Sequence, residues 1–327
     1  MKTTLFYSLP VLAATTLASP VLMGRDATVT AAQLNNFQLF AQYSAASYCN
    51  NQNVPGQPIA CTNDVCLAVQ ANQATTSSSF TGNITDVRGV IAVDDTAGLI
   101  VVSFRGSVSV RNWITDAVFT QIACDLVPGC LVHAGFFAAW SEVKPAVVAG
   151  LKSAVAANPS YKIVTTGHSL GAGLATIATA YLRKSGYAID IYTYGSPRIG
   201  NRQFADFVTA QPGLENRVTH FDDPFARLPP ILFNYRHTSP EYWFKNNATV
   251  NDVVQVCTGN ANISCNAGTT GLDFDAHSSY FVKINGCSPP GGTPWRRDLT
   301  DAQLEDKLNS WAALDVALAE NLAAANS

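Results

Sequence analysis

Thr165 to Gly173 reads TTGHSLGAG, and this stretch decides how the rest of the chain is understood. It continues the β-branched run YKIVTT and opens LATIATAYLRK, whose apolar residues recur at helical spacing over Leu170 to Lys184. Gly167, Ser169 and Gly171 therefore spell a GxSxG turn lodged between a strand and a helix. Such a turn passes from strand to helix so abruptly that side chains at the two glycine positions would collide. The serine is pushed outward, to the carboxyl edge of the sheet and the start of a helix, whose free N–H groups and positive dipole end favour a developing oxyanion.

The flanks of this turn keep the same alternation. Upstream, AAQLNNFQLFAQYSAASYC has helical spacing behind Thr30 as N-cap, which predicts a helix over 31–48. VRGVIAVDD and GLIVVSFRGS are β-branched runs around a turn at Asp95 to Gly98 and predict a hairpin whose second strand ends at Ser107. Then follow a helix over 136–157, the strand before Ser169, the helix after it, the strand IDIYTYGS, a helix over 202–210 and the strand NRVTHF. Strands buried on both faces and alternating with helices predict an α/β fold with a mostly parallel central sheet flanked by helices. At 327 residues, 47% apolar and only 13% charged, the chain can build one sizeable core and is excluded from the disordered class.

Lys2, an apolar run from Leu5 and small residues up to Ala18 have the layout of a secretory signal peptide over 1–18, with 19–25 as a propeptide trimmed after Arg25. Eight cysteines in an oxidising compartment predict disulfides. Local spacing favours Cys61 with Cys66, Cys124 with Cys130 and Cys257 with Cys265, which leaves Cys49 for Cys287. No CxxC spacing and no His beside a Cys pair support a zinc site, so no metal is expected. Asn83, Asn247 and Asn262 open glycosylation sequons. A net charge of −3 without basic clusters argues against nucleic-acid partners. The domain is expected over 26–288. Beyond it, 289–300 is a Pro/Gly linker carrying Arg296 and Arg297, and 301–327 is an amphipathic tail. Thr300 and Gln303 have capping-box spacing ahead of Leu304, Leu308, Trp311, Leu314 and Leu318, a helix that either packs on the domain or is removed by cleavage after Arg297.

A serine hydroxyl needs a base to take its proton, and the base needs an acid to hold its tautomer. In this fold class the order along the chain is Ser, acid, His. Of the later histidines, His220 lies in the strand VTHF and reads as packed, and His237 in RHTSPEYW reads as a structural hydrogen-bonder. His277, after a polar loop and before SSYF, is the candidate base. The acid should end the preceding strand, which leaves Asp222 or Asp223. Asp252, Asp273 and Asp275 read as solvated loop charges.

With FAQYSAASYC, SFRGS, RNWITD, HAGF, TGHSLGAGLAT, YTYGSPRIGN, THFDDPFARLPP and SPEYW in that order, the chain resembles the secreted fungal class 3 lipases over residues 31–287. The resemblance implies an α/β-hydrolase fold and Asp223 as the acid. It also implies an oxyanion hole from Ser107 and the Leu170 N–H, with Asp116 steadying the Ser107 hydroxyl, and a short helical lid over 108–119 carrying Val110, Trp113 and Ile114. The implied activity is hydrolysis of triacylglycerol at an oil–water interface, with no cofactor. Phospholipase A1, galactolipase or feruloyl-type activity on the same fold are the enzymatic alternatives, and a silent lipid-binding homologue is the non-enzymatic one. The expected partner is a lipid ester at an oil–water or membrane interface, and the chain is expected to act as a monomer. The turn reads GAG where the family commonly has GGA. The Cys124 to Cys130 loop is longer than in close lipases, and Cys257 with Cys265 sits in an insertion.

Overall fold

The computed structural model describes residues 25–26, 29–106, 119–246, 254–271, 273–288 and 300–325. In chain order the strands of its central sheet and of one side hairpin are β1 (Arg25–Asp26), β2 (Thr75–Thr81), β3 (Arg88–Asp94), β4 (Leu99–Phe104), β5 (Gln121–Ala123), β6 (Leu131–His133), β7 (Lys162–His168), β8 (Ile189–Tyr194), β9 (Glu215–His220), β10 (Glu241–Phe244) and β11 (Val254–Cys257). β5 and β6 pair with each other. The rest form one mixed sheet of nine strands among the described residues, in the order β1, β11, β10, β9, β8, β7, β4, β3, β2. Its centre, from β4 through β7, β8 and β9 to β10, is parallel. The edges are antiparallel.

The central strands are buried on both faces, which is why they read as continuous apolar runs. Along β4, Ile100, Val102 and Phe104 join one core cluster while Leu99 and Val101 join the other. Helices α1 (Ala31–Asn50), α3 (Ala134–Ala157), α4 (Leu170–Lys184) and α5 (Arg202–Ala210) supply the covering layers, with the short α2 (Leu67–Ala71) following α1 in the chain. Phe37 and Phe40 of α1 sit in the cluster with Leu99 and Val101. Trp140, Val143 and Val147 of α3 and Leu174 and Ile177 of α4 sit in the other. Thr30 caps α1 as expected, and does so through a reciprocal capping box with Gln33. The hairpin turn is where expected, but its second strand is recorded only to Phe104. β2, β10, β11 and the β5–β6 hairpin were not expected. β2 reads TTSSSFT, whose hydroxyls hide its alternation, and the others are four residues or fewer.

All four anticipated disulfides are present, and Cys49–Cys287 spans 238 residues. Closing a loop of that length stabilises the fold by about 5 kcal/mol in the chain-entropy account. Asn83 is exposed, Asn262 is partly exposed, and Asn247 lies outside the described residues. The expected leader and the linker over 289–299 also lie outside them.

The tail forms α7 (Asp301–Ala325), after a short helix α6 (Phe274–Ser278). Thr300 and Gln303 exchange the anticipated capping bonds at 2.8 and 3.2 Å. The helix lies against the domain through Leu304, Leu308, Ala312, Asp315 and Ala319. Leu304 and Leu308 pack on Phe225 and Leu228. One expectation is corrected here, because Leu314 does not face inward and is 50% exposed. At 100° per residue it lies about 120° around the helix from the centre of the buried stripe, whose polar member is Asp315. Asp315 accepts from the fully buried Arg198 at 3.0 Å and from the backbone N–H groups of Ile231 at 2.8 Å and Leu232 at 3.1 Å. Burial pulls the Arg198 guanidinium down to about 10 against the opposing pull of Asp315, and the side chain also donates to the carbonyls of Arg227 and Pro229.

Removing one partner of a buried ion pair strands the other charge. Asp315→Ala should therefore cost about 3–5 kcal/mol. Asp315→Asn should cost less, because its amide oxygen can still accept. The midpoint of denaturant unfolding reads both, and an Asp315→Ala midpoint equal to the parent's overturns this account.

Candidate active site

The turn at Ser169 is built by two missing side chains. A Cβ on Gly167 would stand 2.4 Å from the Gly171 carbonyl oxygen, and one on Gly171 would stand 2.3 Å from the Phe104 carbonyl oxygen. Only glycines let β7, α4 and the end of β4 approach so closely. Ser169 itself has φ 59° and ψ −130°, a conformation that costs a non-glycine residue about 1–3 kcal/mol. Its N–H donates to the Tyr194 carbonyl at 2.9 Å, and its side chain makes no capping bond to the helix it begins. The hydroxyl is thereby kept for another partner.

That partner is His277, in α6. Its Nε2 lies 2.9 Å from Ser169 Oγ, and its Nδ1 lies 3.0 and 2.9 Å from the two oxygens of Asp223, which follows β9. A carboxylate can only accept, so Nδ1 carries the proton and Nε2 presents its lone pair to the serine. Because β7, β8 and β9 are parallel, Ser169 after β7 and Asp223 after β9 leave the same edge of the sheet, and α6, which follows the antiparallel β11, brings His277 to them from 108 residues beyond the serine. Of the two adjacent acids it is Asp223 that meets the histidine. Asp222 is half-exposed, and burial raises its carboxyl. Burial alone would raise Asp223 as well. His277, the Tyr280 hydroxyl at 2.5 Å and the Phe225 N–H at 2.9 Å outweigh that and hold its carboxyl below the usual range.

Two rings pack closely on His277, with the Phe225 ring centroid at 3.9 Å and the His168 ring at 4.6 Å. His168 holds its backbone too. The His277 carbonyl can only accept, so His168 Nε2–H donates to it at 2.7 Å. Nδ1 of His168 is then the acceptor, and the Tyr48 hydroxyl donates to it at 2.9 Å. Asp273, read from sequence as a solvated charge, is instead the N-cap of α6 and accepts from the Ala276 N–H at 2.8 Å. His220 bonds the carbonyls of Ala276 and Asn246, and His237 donates to the carbonyl of Ala226, so both take the structural roles expected of them.

Sequence reasoning missed Tyr48, Tyr280 and Gly195. A Cβ on Gly195, where φ is +56°, would stand 2.7 Å from Asp223 Oδ2 and 3.0 Å from His277 Nδ1. Nothing in the spacing of YTYGSPRIGN points to that contact, and Tyr280 carries no signal beyond lying three residues after the base. Leu170 is the first residue of α4, so its N–H has no acceptor within the helix. Ser107, Asp116, Val110, Trp113 and Ile114 lie outside the described residues. Among the described residues, the one group of three potential metal ligands within reach of each other is Cys49, Cys61 and Cys287, whose sulfurs are in disulfides. Chemically the row can remove a hydroxyl proton, stabilise the resulting imidazolium and return the proton to a leaving group. Ser169 has no solvent exposure and His277 only 4%.

Burial, with the neighbouring His277, lowers His168 from 6.5 to about 3, and burial first lowers His237 as well. Between those values the unfolded chain binds protons that the folded chain refuses, so stability falls as pH falls. Each group contributes a slope of up to about 1.4 kcal/mol per pH unit. The thermal midpoint should drop from pH 7 to pH 5, and His168→Asn should flatten the drop. A slope unchanged by that substitution overturns the assignment.

Comparison with known proteins gives a consistent result. A family model described as "Lipase (class 3)" matches residues 101–233. The chain is 48% identical over 299 residues to the secreted mono- and diacylglycerol lipase 1 of Fusarium solani, covering 90% of each. It is 33% identical over 262 residues to a lipase of Rhizomucor miehei, covering 77% of this chain and 69% of that one. The crystal structure of the mono- and diacylglycerol lipase from Aspergillus oryzae superimposes with a TM-score of 0.75 at 40% identity, covering 80% of this chain and all of that one.

Proposed function

The chain belongs to the class 3 lipases, and from that membership, as a secreted serine hydrolase of lipid esters, we propose that Ser169 is its nucleophile, His277 its general base and acid, and Asp223 the group that orients the imidazole. Ser169 Oγ attacks the ester carbonyl as its proton passes to His277 Nε2. The tetrahedral oxyanion collapses, His277 returns the proton to the departing glyceride alcohol, and an acyl-enzyme remains. Water, deprotonated by the same nitrogen, then releases the fatty acid. The observation that carries this reading is the unbroken row from Asp223 through His277 to Ser169, with every separation at 3.0 Å or less.

In the same proposal the Leu170 N–H and the backbone N–H and hydroxyl of Ser107 hold the oxyanion, with Asp116 steadying that hydroxyl. Such donors are each worth roughly 2.7–4 kcal/mol of transition-state stabilisation. Residues 108–119, with Val110, Trp113 and Ile114 on one face, serve as a lid that exchanges water for an oil or membrane surface, and the enzyme works there as a monomer. The substrate class is glyceride esters. Triacylglycerol follows from the apolar lid segment, and mono- and diacylglycerols are favoured by the similarity to the Fusarium solani enzyme.

Ser169→Ala should abolish turnover of emulsified glycerides while leaving the thermal midpoint in place, and Asp223→Asn should lower kcat by about 10⁴-fold through loss of the correct tautomer. Parallel rates on trioleoylglycerol, dioleoylglycerol and monooleoylglycerol rank the glycerides. Retained turnover in Ser169→Ala refutes the reading.

A further inference from the structure

α7 carries two different faces. One is the buried stripe anchored by Asp315. The other is a flank bearing Lys307, Trp311 and Leu314, which by helical geometry fall within about 60° of each other. That flank does not end in empty solvent. The Trp311 ring meets the ring of Phe233 at 6.3 Å and that of Phe119 at 5.5 Å, and Phe233 meets Phe119 at 5.7 Å. Leu232 and Phe233 form the short 3-10 turn Ile231–Phe233, which Asp315 pins to the helix through the Leu232 N–H.

The result is an apolar surface shared by two segments distant in sequence. Leu232 is 46% exposed, Phe233 43% and Leu314 50%. Each is a large side chain left partly in water. Its cation is Lys307, whose ammonium stands 4.8 Å over the Trp311 ring. Trp311 and Leu314 on the helix and Leu232 and Phe233 on the adjoining turn set large apolar side chains beside one lysine, while Asp301, Glu305, Asp306 and Glu320 fall on other sides of the helix, about 100° or more from the centre of that flank.

We propose that Leu232, Phe233, Trp311 and Leu314 form a docking face for the lipid–water interface, with Lys307 attracting anionic headgroups and released fatty acid, so that the tail helix anchors the enzyme on its substrate phase. The inference rests on the reading of the chain as a lipid-ester hydrolase, whose substrate is itself such a surface. It gives Asp315 a second consequence: by fixing α7 to the 231–233 turn it assembles the two halves of the face. Exposed contiguous apolar side chains are otherwise a liability in a secreted protein, and an interface that covers them during work gives them a use.

The test uses the full chain and the double variant Phe233→Ser with Leu314→Gln, alongside Leu314→Gln alone. Adsorption is measured by co-sedimentation with phosphatidylcholine vesicles containing oleate, and kcat/KM is measured on a short-chain p-nitrophenyl ester held below its solubility limit. Burying one large apolar side chain changes a partition constant by roughly tenfold. The expected result is adsorption weakened by roughly tenfold in the single variant and more in the double, with soluble-ester kcat/KM and thermal midpoint unchanged. Adsorption equal to the parent's overturns the proposal. So does a parallel loss of soluble-ester activity, which would mark the patch as structural support for the site. A parent that elutes as a dimer while the variants elute as monomers overturns it in favour of self-association. A parent inactive on the soluble ester is a separate result, and it counts against the triad reading and not against the docking face.

Discussion

The close approach of β7, α4 and the end of β4 is the constraint from which the rest of the site follows. It is possible only because Gly167 and Gly171 lack side chains, and it forces Ser169 into a left-handed conformation that its surroundings have to sustain. Once the backbone is committed there, the serine hydroxyl can face only the region where loops from β8 and β9 arrive. Asp223 is brought to that place by parallel pairing of the strands, and His277 by α6, which follows the antiparallel edge strand β11. The chemistry is thus a consequence of sheet topology: three short contacts join residues whose elements were placed by burial, with no local sequence relation among them.

Around that row the protein invests in holding one imidazole still. Phe225 and His168 pack on its ring, and Tyr280 and the Phe225 N–H hold its acid. His168 and Tyr48 fix its backbone carbonyl. His168 can serve because burial keeps it neutral with one donor and one acceptor, which gives the chain from Tyr48 to His277 a single direction. An imidazole orienting group without such a shell would lose the alignment on which proton transfer depends.

Much of this was readable from the amino-acid sequence, for reasons that differ by element. The strand, turn and helix around Ser169 were legible because glycine spacing and hydrophobic period agree over some twenty residues. Position and the neighbouring Pro224 favoured Asp223 only weakly over the adjacent Asp222, and the family resemblance pointed to Asp223. β2 was hidden because hydroxyl side chains satisfy one face without looking apolar, and β10 and β11 because four residues are too few to show a period. Tyr48, Tyr280 and Gly195 act through contacts made across 28 residues of sequence or more with groups of the site, and no local pattern encodes such a distance. Leu314 failed for a related reason: a list of apolar positions does not reveal that a carboxylate, Asp315, occupies the middle of the buried stripe.

The disulfide from α1 to the end of the domain also bears on how the molecule is made. Cys49 leaves the ribosome long before Cys287, its partner 238 residues later, whereas the other three bridges join cysteines within eight residues of each other. A polypeptide that stops short of residue 287 therefore carries an odd thiol at Cys49, beside the Cys61 bridge, whose sulfur comes within 4.8 Å. A thiolate so placed can attack that bridge and scramble it. Every sulfur can be matched only in a chain made as far as residue 287, which by then already contains His277.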